Sequence, residues 1–558
     1  MTSASPWRPF RHKVFAIIWT ATVLSNVGGW MYATASAWLM TSLTTDPVMV
    51  SLVQVAASAP LFLFALPAGT LADLVDKRRF LIRGEIFIAV ASTLLAYLVW
   101  RNLVSPVSLL LLTFLIESGS AATAPPWQSV VPDLVPREDL PPAIAMNSVG
   151  VNISRAVGPA LGGLLTAGFG IAAPFWINAV SNYGSISALR WWGGQRAAAA
   201  RAAGRVGGAF DGGPAAGAGA ARRASGPHPR SSRLPAEQFI SGMRVGLRYA
   251  RNNVQLRAAL GHAVAFFLFA SCYWALLPLV ARDRISGGAT LYGALLGVIG
   301  ASAVLGALTL PRLRARYDIN HLVAMGSCGT AVSILLLGIA KVAYVAVIAS
   351  AVAGVSWIVV LSSLNVSAQL SLPEWVRGRG LAIYVTVFNG AMTLGSLIWG
   401  QVAAVEGISM AHFIAAAGML IGVAATWRFK LDTDAAIDLT PSMHWPVPVV
   451  GTSIEHNAGP VLVTVEYRVR AEDRGAFLSA IQRVGSERVR DGAYTWGVFE
   501  DVSERNVFIE TFYSECWLEH MRQHERVTNA DRVIEEGIRH RLTAAPRITH
   551  YVAPPDGE

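Results

Sequence analysis

Charged residues are scarce in this chain. Asp, Glu, Lys and Arg make up only 14% of its 558 residues, whereas hydrophobic residues make up 53%. Soluble domains carry about 25% charged residues, so the composition excludes an ordinary water-soluble protein and predicts a polytopic membrane protein. The net charge is +10, but the bases lie in short segments between apolar runs rather than on one face. This distribution argues against a nucleic-acid partner.

Cysteines and nucleotide-binding motifs are also missing. The only cysteines, Cys272, Cys328 and Cys516, lack the spacing of a zinc site or a disulfide framework, so we expect them to be packing residues. The sequence contains no G-x-x-x-x-G-K-S/T motif, which excludes a P-loop. It therefore predicts no metal, no cofactor and no use of ATP.

Long apolar runs dominate the chain instead. A helix that crosses the hydrocarbon core needs about 20 mostly apolar residues, and we find roughly twelve such runs. Six lie at 14–40, 48–68, 80–100, 104–124, 143–168 and 171–192, and six at 257–281, 289–310, 320–340, 343–370, 380–401 and 405–427. We predict an all-α membrane protein with twelve transmembrane helices in two six-helix bundles, 1–192 and 257–430, surrounded by the lipid bilayer.

The connectors between these runs alternate in charge. One set is basic, including 77–79, 312–316 and 428–430, while connectors such as 41–47 and 168–174 contain no base. Basic connectors remain on the cytoplasmic side of a membrane. The asymmetry predicts a multi-pass protein with both termini in the cytoplasm.

A linker is expected between the two bundles, at 193–256. Residues 193–235 are rich in Ala, Gly, Arg and Pro and cannot bury enough apolar surface to fold. Residues 237–253 place apolar side chains and three arginines at helical spacing. This segment is either an amphipathic helix on the cytoplasmic membrane surface or an ordinary helical linker.

After Lys430 the composition becomes that of a soluble domain. Strand patterns occupy 460–469, 493–501, 506–513 and 547–553, and helical spacing occupies 473–489 and 514–542. The order β-α-β-β-α-β is a ferredoxin-like pattern. We expect 431–558 to comprise a linker and a ferredoxin-like α+β domain.

Two connectors in the first half have counterparts in the second. The charged turn GTLADLVDKRRFLI at 69–82 matches GALTLPRLRAR at 306–316, where a leucine replaces the first aspartate. VPDLVPREDL at 131–140 matches LPEWVRGRGL at 372–381. The two halves are therefore predicted to be repeats of one unit.

The charged turn resembles the G-x-x-x-D-x-x-x-R-R/K loop motif of the major facilitator superfamily, and the resemblance covers about 1–430. It implies that the motif glycine lets helices approach closely and that the motif aspartate contacts the N-terminal end of the eleventh span. A helix N-terminus stabilises a carboxylate by up to about 2 kcal/mol, so this contact would clamp the outward-open state. The alternative is that these charges only set topology. The residues of this expected clamp are Gly69, Asp73, Lys77, Arg78, Arg79, Arg377 and Gly378.

Three further segments are similar to the drug:proton antiporter branch of that superfamily, which includes enterobactin and macrolide exporters known as transmembrane secretion effectors. They are 25–40, 124–136 and NSVGVNISRAVGPALGG at 147–163. The last ends in Gly158, Pro159, Gly162 and Gly163, which match the helix-packing end of the antiporter motif, whereas Ser154 replaces its earlier glycine. Adjacent glycines allow close helix packing.

The resemblance implies a secondary transporter in the bacterial cytoplasmic membrane that exports a small-molecule substrate, such as a drug or siderophore, in exchange for a proton. The proton gradient would supply the energy, and no enzyme activity is expected. Two alternatives stay open. One is an uptake carrier of the same fold, and the other is a membrane-tethered enzyme whose chemistry is done by the tail.

Ionisable residues inside spans are costly and are functional candidates. Glu117 in the fourth span and Arg155 in the fifth have comparable depths on neighbouring helices, so an ion pair between them is expected. The pair either takes part in proton coupling, with Glu117 as the proton carrier, or is a static neutralising pair. The resemblance adds Asn152, because an Asn-x-x-Arg sequence recurs in this span of the family.

Polar and aromatic residues within spans are candidates for a central substrate cavity, because such sites lie near the midplane between the halves. Many Trp and Tyr residues instead lie at the headgroup level. The candidates are Asn26, Trp30, Tyr32, Asn178, Tyr273, Trp274, Trp357 and Asn365. His262 near the inner end of the seventh span is interpreted as a structural histidine.

The tail at about 458–553 resembles small dimeric α+β-barrel domains of the antibiotic-biosynthesis monooxygenase type, through 519–536 and PRITHYV at 546–552. Some of those domains oxidise substrates without a cofactor. The resemblance therefore makes Trp496, Asn506, His520 and His524 candidate active-site residues. They form no recognisable nucleophile or metal set, so we expect a regulatory module or a dimerisation module rather than an oxygenase.

Overall fold

The computed structural model describes residues 7–74, 77–208, 239–431, 438–446, 448, 450 and 454–554. The side chains at 65–74, 77, 125, 128, 129, 133, 196–208 and 239–242 lie outside this description. The described chain forms two units. We call Met1–Ala216, Leu260–Asn365 and Tyr384–Lys430 the helical unit, and Gly217–Ala259, Val366–Ile383 and Leu431–Glu558 the mixed unit.

Six long helices form from the first half of the chain. They are α1 (Lys13–Leu43), α2 (Pro47–Leu74), α3 (Lys77–Trp100), α4 (Pro106–Val130), α5 (Leu140–Phe169) and α6 (Ala172–Gly208). Ser105 caps α4 through a reciprocal pair of hydrogen bonds with Ser108, which satisfies donors that the helix start leaves free. All six runs predicted from hydropathy in this half are helical.

The second half gives a short helix and six long ones. They are α7 (Phe239–Asn252), α8 (Val254–Leu279), α9 (Ala289–Arg316), α10 (Ile319–Ile339), α11 (Ala343–Leu370), α12 (Arg377–Glu406) and α13 (Ile408–Thr426). A π-helical turn, Val280–Arg284, follows α8. Among the described residues, ten helices are long and apolar enough to cross a membrane, and α5 and α6 are not among them.

The expected linker differs from the structure at its start. Residues 193–208, predicted to be unfolded, continue α6 as a helix, because this stretch is rich in alanine, which has the highest helix propensity. Residues 209–238 lie outside the described part of the chain. The helix predicted around 237–253 is present as α7.

The tail has the predicted element order with one change. Its elements are β1 (Val461–Arg468), α14 (Arg474–Asp491), β2 (Thr495–Glu500), β3 (Val507–Ser514), α15 (Trp517–Arg526), α16 (Asn529–Arg539) and β4 (Arg547–Val552). The second predicted helix is broken because Thr528 starts a new one, with its side chain and that of Asp531 forming a capping box. The strands form one antiparallel sheet in the order β2-β3-β1-β4.

The core of the tail lies between this sheet and its helices. Alternate residues of β1 are buried, beginning with Val461, Val463 and Val465. They pack with Phe477 and Ile481 of α14. The period of two in burial along the strand is the one that the sequence alternation predicted.

The mixed unit also contains α7 and the connector between α11 and α12. Tyr249 of α7 is buried and donates a hydrogen bond to the Ser371 carbonyl (3.3 Å), and its ring packs edge-on against Trp375 at 5.5 Å. The guanidinium of Arg526 on α15 lies 4.7 Å from the centroid of the Trp375 ring. The apolar face of α7 therefore packs on protein, and this packing accounts for its amphipathic pattern.

An ion-pair network in the mixed unit joins α7 to α15. Arg526 donates to both carboxylate oxygens of Glu519, at 2.6 and 3.3 Å. Arg248 of α7 donates to Glu519 at 3.3 Å. Glu519 and Arg526 are almost fully buried, so each charge depends on the other for compensation.

In the helical unit, α5 and α9 approach closely at two glycines. A Cβ atom on Gly163 would lie 2.8 Å from the Gly293 Cα and 2.8 Å from the Ala289 carbonyl oxygen. Gly158 and Gly162 face α1, where a Cβ atom would collide with Trp30 or with the Met31 backbone. The glycines of the 158–163 motif therefore hold α5 between α1 and α9.

The close approach of α5 and α9 at Gly163 predicts that a larger residue there lowers the stability of the protein. Gly163→Ala is expected to lower the free energy of unfolding by about 1–3 kcal/mol, because the added methyl group overpacks a backbone contact. The matched control is Gly168→Ala on the same helix, where a Cβ atom would meet nothing within 4 Å. Thermal unfolding of both variants in detergent provides the measurement. Equal melting temperatures for the two variants would contradict the contact.

Candidate functional site

A cavity of about 730 Å³ lies inside the helical unit. Its wall is built by α1 to α6 from the first half and by α8, α9, α11 and α12 from the second. Small-molecule sites commonly have volumes of about 300–1,000 Å³. The cavity therefore has the size of a binding site for a small molecule.

The cavity extends toward one end of the bundle. Phe15 and Trp19 near the start of α1 line it, as do Trp127 and Leu134 at and beyond the end of α4. This end carries the basic connectors. At the opposite end α5 packs on α9 at Gly163, so the two halves are in contact there.

Among the described residues, two carboxylates and one guanidinium line the cavity, namely those of Glu85, Glu117 and Arg155. Glu85 of α3 is buried and accepts a hydrogen bond from the Trp127 indole at 2.9 Å. The sequence interpretation missed Glu85, although its position inside a predicted span was the signal that could have found it. All three come from the first half of the chain.

The expected ion pair between Glu117 and Arg155 is not formed. Both residues line the cavity, but within the described residues Glu117 makes no hydrogen bond or ion pair. The Arg155 guanidinium instead lies 5.5 Å from the centroid of the Trp30 ring, and its Nε has no hydrogen-bond partner. The physical reason is that the cavity separates the two helices, so each charge faces the cavity instead of the other charge.

Asn152 does not join this group. Its side chain is exposed and donates to the Ser148 carbonyl one turn earlier on α5, at 2.8 Å. A residue three positions before Arg155 lies almost one helical turn away but not directly above it. In this structure, Arg155 and not Asn152 faces the cavity.

A chain of polar contacts crosses the first half beside the cavity. The Ser25 hydroxyl donates to Asn182 Oδ1 at 3.0 Å, and the Asn182 and Asn178 amides each donate to Ser92 at 3.3 Å. Asn178, Asn182 and Ser92 are buried. Hydrogen bonds between helices satisfy these groups away from water, which fixes the wall formed by α1, α3 and α6.

Aromatic residues form the opposite wall. Trp274, Trp357 and Phe388 line the cavity from α8, α11 and α12. The rings of Trp274 and Trp357 are 5.4 Å apart, and Phe388 lies 4.2 Å from Phe267, which is itself 5.3 Å from Trp357. Edge-on pairs at these distances stabilise one another, so the second half presents a rigid apolar surface.

Most of the predicted cavity residues line the cavity, and two do not. Those in the lining are Asn26, Trp30, Tyr32, Asn178, Trp274 and Trp357. Tyr273 is fully buried behind Trp274, and Asn365 lies further along α11, outside the lining found among the described residues. His262 lines a separate small pocket with Asn320 and Trp427.

The clamp residues are described only in part. The side chains of Asp73 and Lys77 and the surroundings of Gly69 lie outside the description. The Arg78 guanidinium lies against α6 at Gly193, and Arg79 is exposed. α12 begins at Arg377, whose Nε donates to the Leu372 carbonyl at 3.4 Å, and Gly378 is therefore in the first turn of α12.

The four candidates in the tail do not form one site. His520 and His524 lie on one face of α15, with their Nε2 atoms 3.4 Å apart. Trp496 instead donates to buried Glu510 at 2.9 Å, and Asn506 adopts a positive φ of 65° just before β3. Neither residue forms a hydrogen bond or ring contact with the two histidines among the described residues. An active site made of all four is therefore not assembled.

A buried charge network lies beneath the histidines. Arg488 donates to Glu510 at 3.2 Å and to Glu535 at 2.8 Å, and Glu535 also contacts His444 at 2.8 Å. Burial alone would raise the pKa of Glu535, but Arg488 and His444 lower it to about 2. Glu535 is therefore ionised at neutral pH.

Comparisons with known proteins agree with this architecture. The family model of transmembrane secretion effectors matches residues 4–214 and 220–556, so the match includes the tail. A solved POT family transporter in complex with 5-aminolevulinic acid superimposes with a TM-score of 0.54 at 11% identity, covering 74% of this chain and 96% of that one. At this identity the likeness establishes the fold alone.

Two curated relatives match a shorter stretch. The staphyloferrin A transporter of Staphylococcus aureus is 24% identical over 162 residues, which is 29% of this chain and 41% of the relative. Macrolide efflux protein A of Streptococcus pyogenes is 24% identical over 151 residues, which is 27% of this chain and 37% of the relative. The aligned stretch thus spans well under half of either relative. The fold, the cavity within the helices and the family match agree, and the chain is a multi-pass membrane protein that belongs to the transmembrane secretion effector family of the major facilitator superfamily.

Proposed function

We propose that this protein is a secondary active transporter that exports a small amphipathic molecule across the cytoplasmic membrane by proton antiport. The observation that carries the proposal is the cavity, which combines a wall of aromatic rings with the carboxylate of Glu117, for which the described residues offer no ion-pair or hydrogen-bond partner. A carboxylate without a partner exchanges its proton readily, whereas a paired one is held in its charged form. The same cavity therefore offers a place for both the proton and the substrate.

All twelve long helices are proposed to cross the membrane, in two bundles of six and with both termini in the cytoplasm. α5 and α6 are long enough to span it, and their polar residues Arg155, Asn178 and Asn182 face the cavity rather than lipid. With the basic connectors in the cytoplasm, the cavity opens inward and the α5–α9 contact closes the outer end. This arrangement is the inward-open state of an alternating-access cycle.

The residues that line the cavity indicate which class of substrate it would bind. The first half supplies two carboxylates and one guanidinium, and the second half supplies Trp274, Trp357 and Phe388. An organic cation with an apolar ring system would contact both walls, since cations bind carboxylates and aromatic faces. The relatives named for macrolide efflux and for staphyloferrin A transport support a drug or siderophore as the substrate.

An accumulation screen tests the proposed function. Cells with and without the protein are compared for retention of cationic dyes, macrolides and siderophores, each with and without a protonophore. We expect lower accumulation in cells that carry the protein and loss of the difference with the protonophore. Higher accumulation would instead establish an uptake carrier, and a difference that resists the protonophore would exclude proton coupling.

Glu117 is predicted to carry the proton. Glu117→Gln should abolish the pH dependence of transport, because the amide cannot titrate. Glu85→Gln is the matched comparison, since Glu85 lines the same cavity but is held by the Trp127 indole, and it should keep the pH dependence. The measurement is substrate-driven proton movement in proteoliposomes. Unaltered pH dependence in Glu117→Gln would assign this carboxylate a structural role.

The charged turn is proposed to act as a conformational clamp. Because α12 begins at Arg377, Gly378 lies where the helix leaves backbone N–H groups free. A carboxylate at Asp73 that approached this end would be stabilised by up to about 2 kcal/mol. Removing the charge should therefore shift the balance between the inward-open and outward-open states.

Asp73→Asn is predicted to slow transport while leaving membrane insertion intact. Asp76→Asn, three residues away at a position that the motif leaves unspecified, is the control and should transport normally. Initial efflux rates at matched protein levels in the membrane compare the two variants. Normal efflux with Asp73→Asn would remove the clamp from the mechanism.

The tail is proposed to regulate the transporter through the connector before α12. Arg526 of α15 stacks on Trp375, and α12 continues from this connector to Phe388 and Asn389 in the cavity wall. A change in the tail that moves the connector would therefore move a helix that lines the cavity. Deleting 431–558 tests both roles of the tail: retained efflux would reject the tethered enzyme, and retained efflux at an unchanged rate would reject the regulatory role as well.

Arg526→Ala is predicted to loosen the connector and to change the transport rate. Without the Arg526 guanidinium, the buried carboxylate of Glu519 has fewer positive partners, which lowers the local stability by about 3–5 kcal/mol. Arg468→Ala is the control, since Arg468 forms only exposed ion pairs with Glu466 and Glu504, which contribute about 0–1 kcal/mol. Hydrogen exchange at 371–376 and initial efflux rates are measured together. Unchanged exchange and efflux in Arg526→Ala would exclude this coupling.

A further inference from the structure

The mixed unit brings three histidines from two elements together. His520 and His524 are four residues apart on α15, and His550 lies on β4. One ring nitrogen of each lies within 4.8 Å of one ring nitrogen of both others. The centroid of the His520 ring is 5.0 Å from that of His524 and 4.9 Å from that of His550. The three nitrogens therefore surround a common point.

We propose that His520, His524 and His550 form a binding site for a transition-metal ion, with Zn²⁺ as the best fit. On a tetrahedral zinc ion with Zn–N bonds of about 2.0–2.1 Å, two ligand nitrogens lie about 3.3–3.4 Å apart. The Nε2 atoms of His520 and His524 are separated by 3.4 Å. Two histidines at i and i+4 on one helix face also form the spacing of known zinc sites.

The neighbours of His520 hold its metal-binding nitrogen toward this point. His520 Nδ1 lies 3.4 Å from Gln523 Oε1, which also accepts a hydrogen bond from Ser514 at 3.1 Å. Because Oε1 can only accept, Nδ1 carries the proton and Nε2 keeps its lone pair. A second residue that fixes the tautomer in this way is a regular part of metal sites.

The charges around the three histidines are compatible with a bound cation. The positive groups that act on the cluster are Arg488 and His444. Arg488 is paired with both Glu510 and Glu535, so this network holds one guanidinium against two carboxylates. His444 contacts Glu535 through the same network. The ion would therefore not face an uncompensated positive charge.

The site also has an entrance. His520 is buried, but His524 and His550 are only partly buried. An ion can therefore reach the three nitrogens, and a water molecule can complete a fourth position. Three protein ligands and an open position are typical of accessible zinc sites rather than closed structural ones.

A titration with Co²⁺ alone tests the site. The full chain is purified in detergent without a histidine tag and titrated with Co²⁺, which reports tetrahedral coordination by intense visible absorption. We expect one Co²⁺ per chain with this absorption and its loss when Zn²⁺ is added. Weak absorption typical of six-coordinate cobalt, or no binding, would overturn the proposal.

Variants identify the ligands. His550→Gln should weaken binding at least about 100-fold, and Gln523→Ala, which removes only the orienting amide, should weaken it about 10–100-fold. The control is His540→Gln, an exposed histidine at the end of α16, which should bind like the original chain. Equal affinity in His550→Gln and the original chain would overturn the proposal.

Hydrogen exchange tests the metal site without relying on transport activity, and it also shows whether each variant is folded. Zn²⁺ is expected to increase protection at α15 and β4 in the original chain and in His540→Gln, because an ion that binds only the folded state stabilises it. Without Zn²⁺, the amide exchange rates of α15 and β4 should be the same in every variant as in the original chain, which shows that each variant is folded. Equal Zn²⁺ protection in His550→Gln would again exclude this site.

Discussion

The cost of placing charge in hydrocarbon is the constraint on which the rest of this structure depends. A lone ionised side chain at the centre of a bilayer costs at least about 2.5–3.5 kcal/mol. Glu85, Glu117 and Arg155 lie within long helices, and all three line one cavity. The indoles of Trp127 and Trp30 contact Glu85 and Arg155 in place of bulk solvent. The charges therefore determine which helix faces turn inward, and the cavity follows from that choice.

At the end of the bundle away from the cavity, helices from the two halves pack closely against each other. α5 and α9 meet at Gly163 and Gly293 with almost no side-chain atoms between their backbones. Such contacts rely on dispersion between matched surfaces and are lost within a fraction of an ångström. They are therefore sensitive to a small separation of the two helices.

The sequence was sufficient for the features that depend on local patterns. Hydropathy located every long helix, and alternation located the four strands, because both reflect the period of one element. Six of the eight predicted cavity residues line the cavity, since a polar or aromatic residue inside a span has few other places to lie. Glu85 was missed although it lies inside the predicted span at 80–100, where an ionisable residue is a functional candidate.

Features that depend on distant partners could not be predicted. The break between α15 and α16 follows from a capping box in a sequence whose apolar spacing continues through it. The separation of Glu117 from Arg155 depends on how far apart α4 and α5 stand across the cavity. The pairing of Arg526 with Trp375 joins residues from the tail and from the connector before α12, and no local pattern marks either as a partner of the other.

The contacts of the mixed unit join the tail to the connector before α12. Trp375 and Ser371, just before α12, are held by Arg526 and Tyr249. Arg526 is on α15, the helix that carries His520 and His524, so anything that stabilises α15 also restrains the connector.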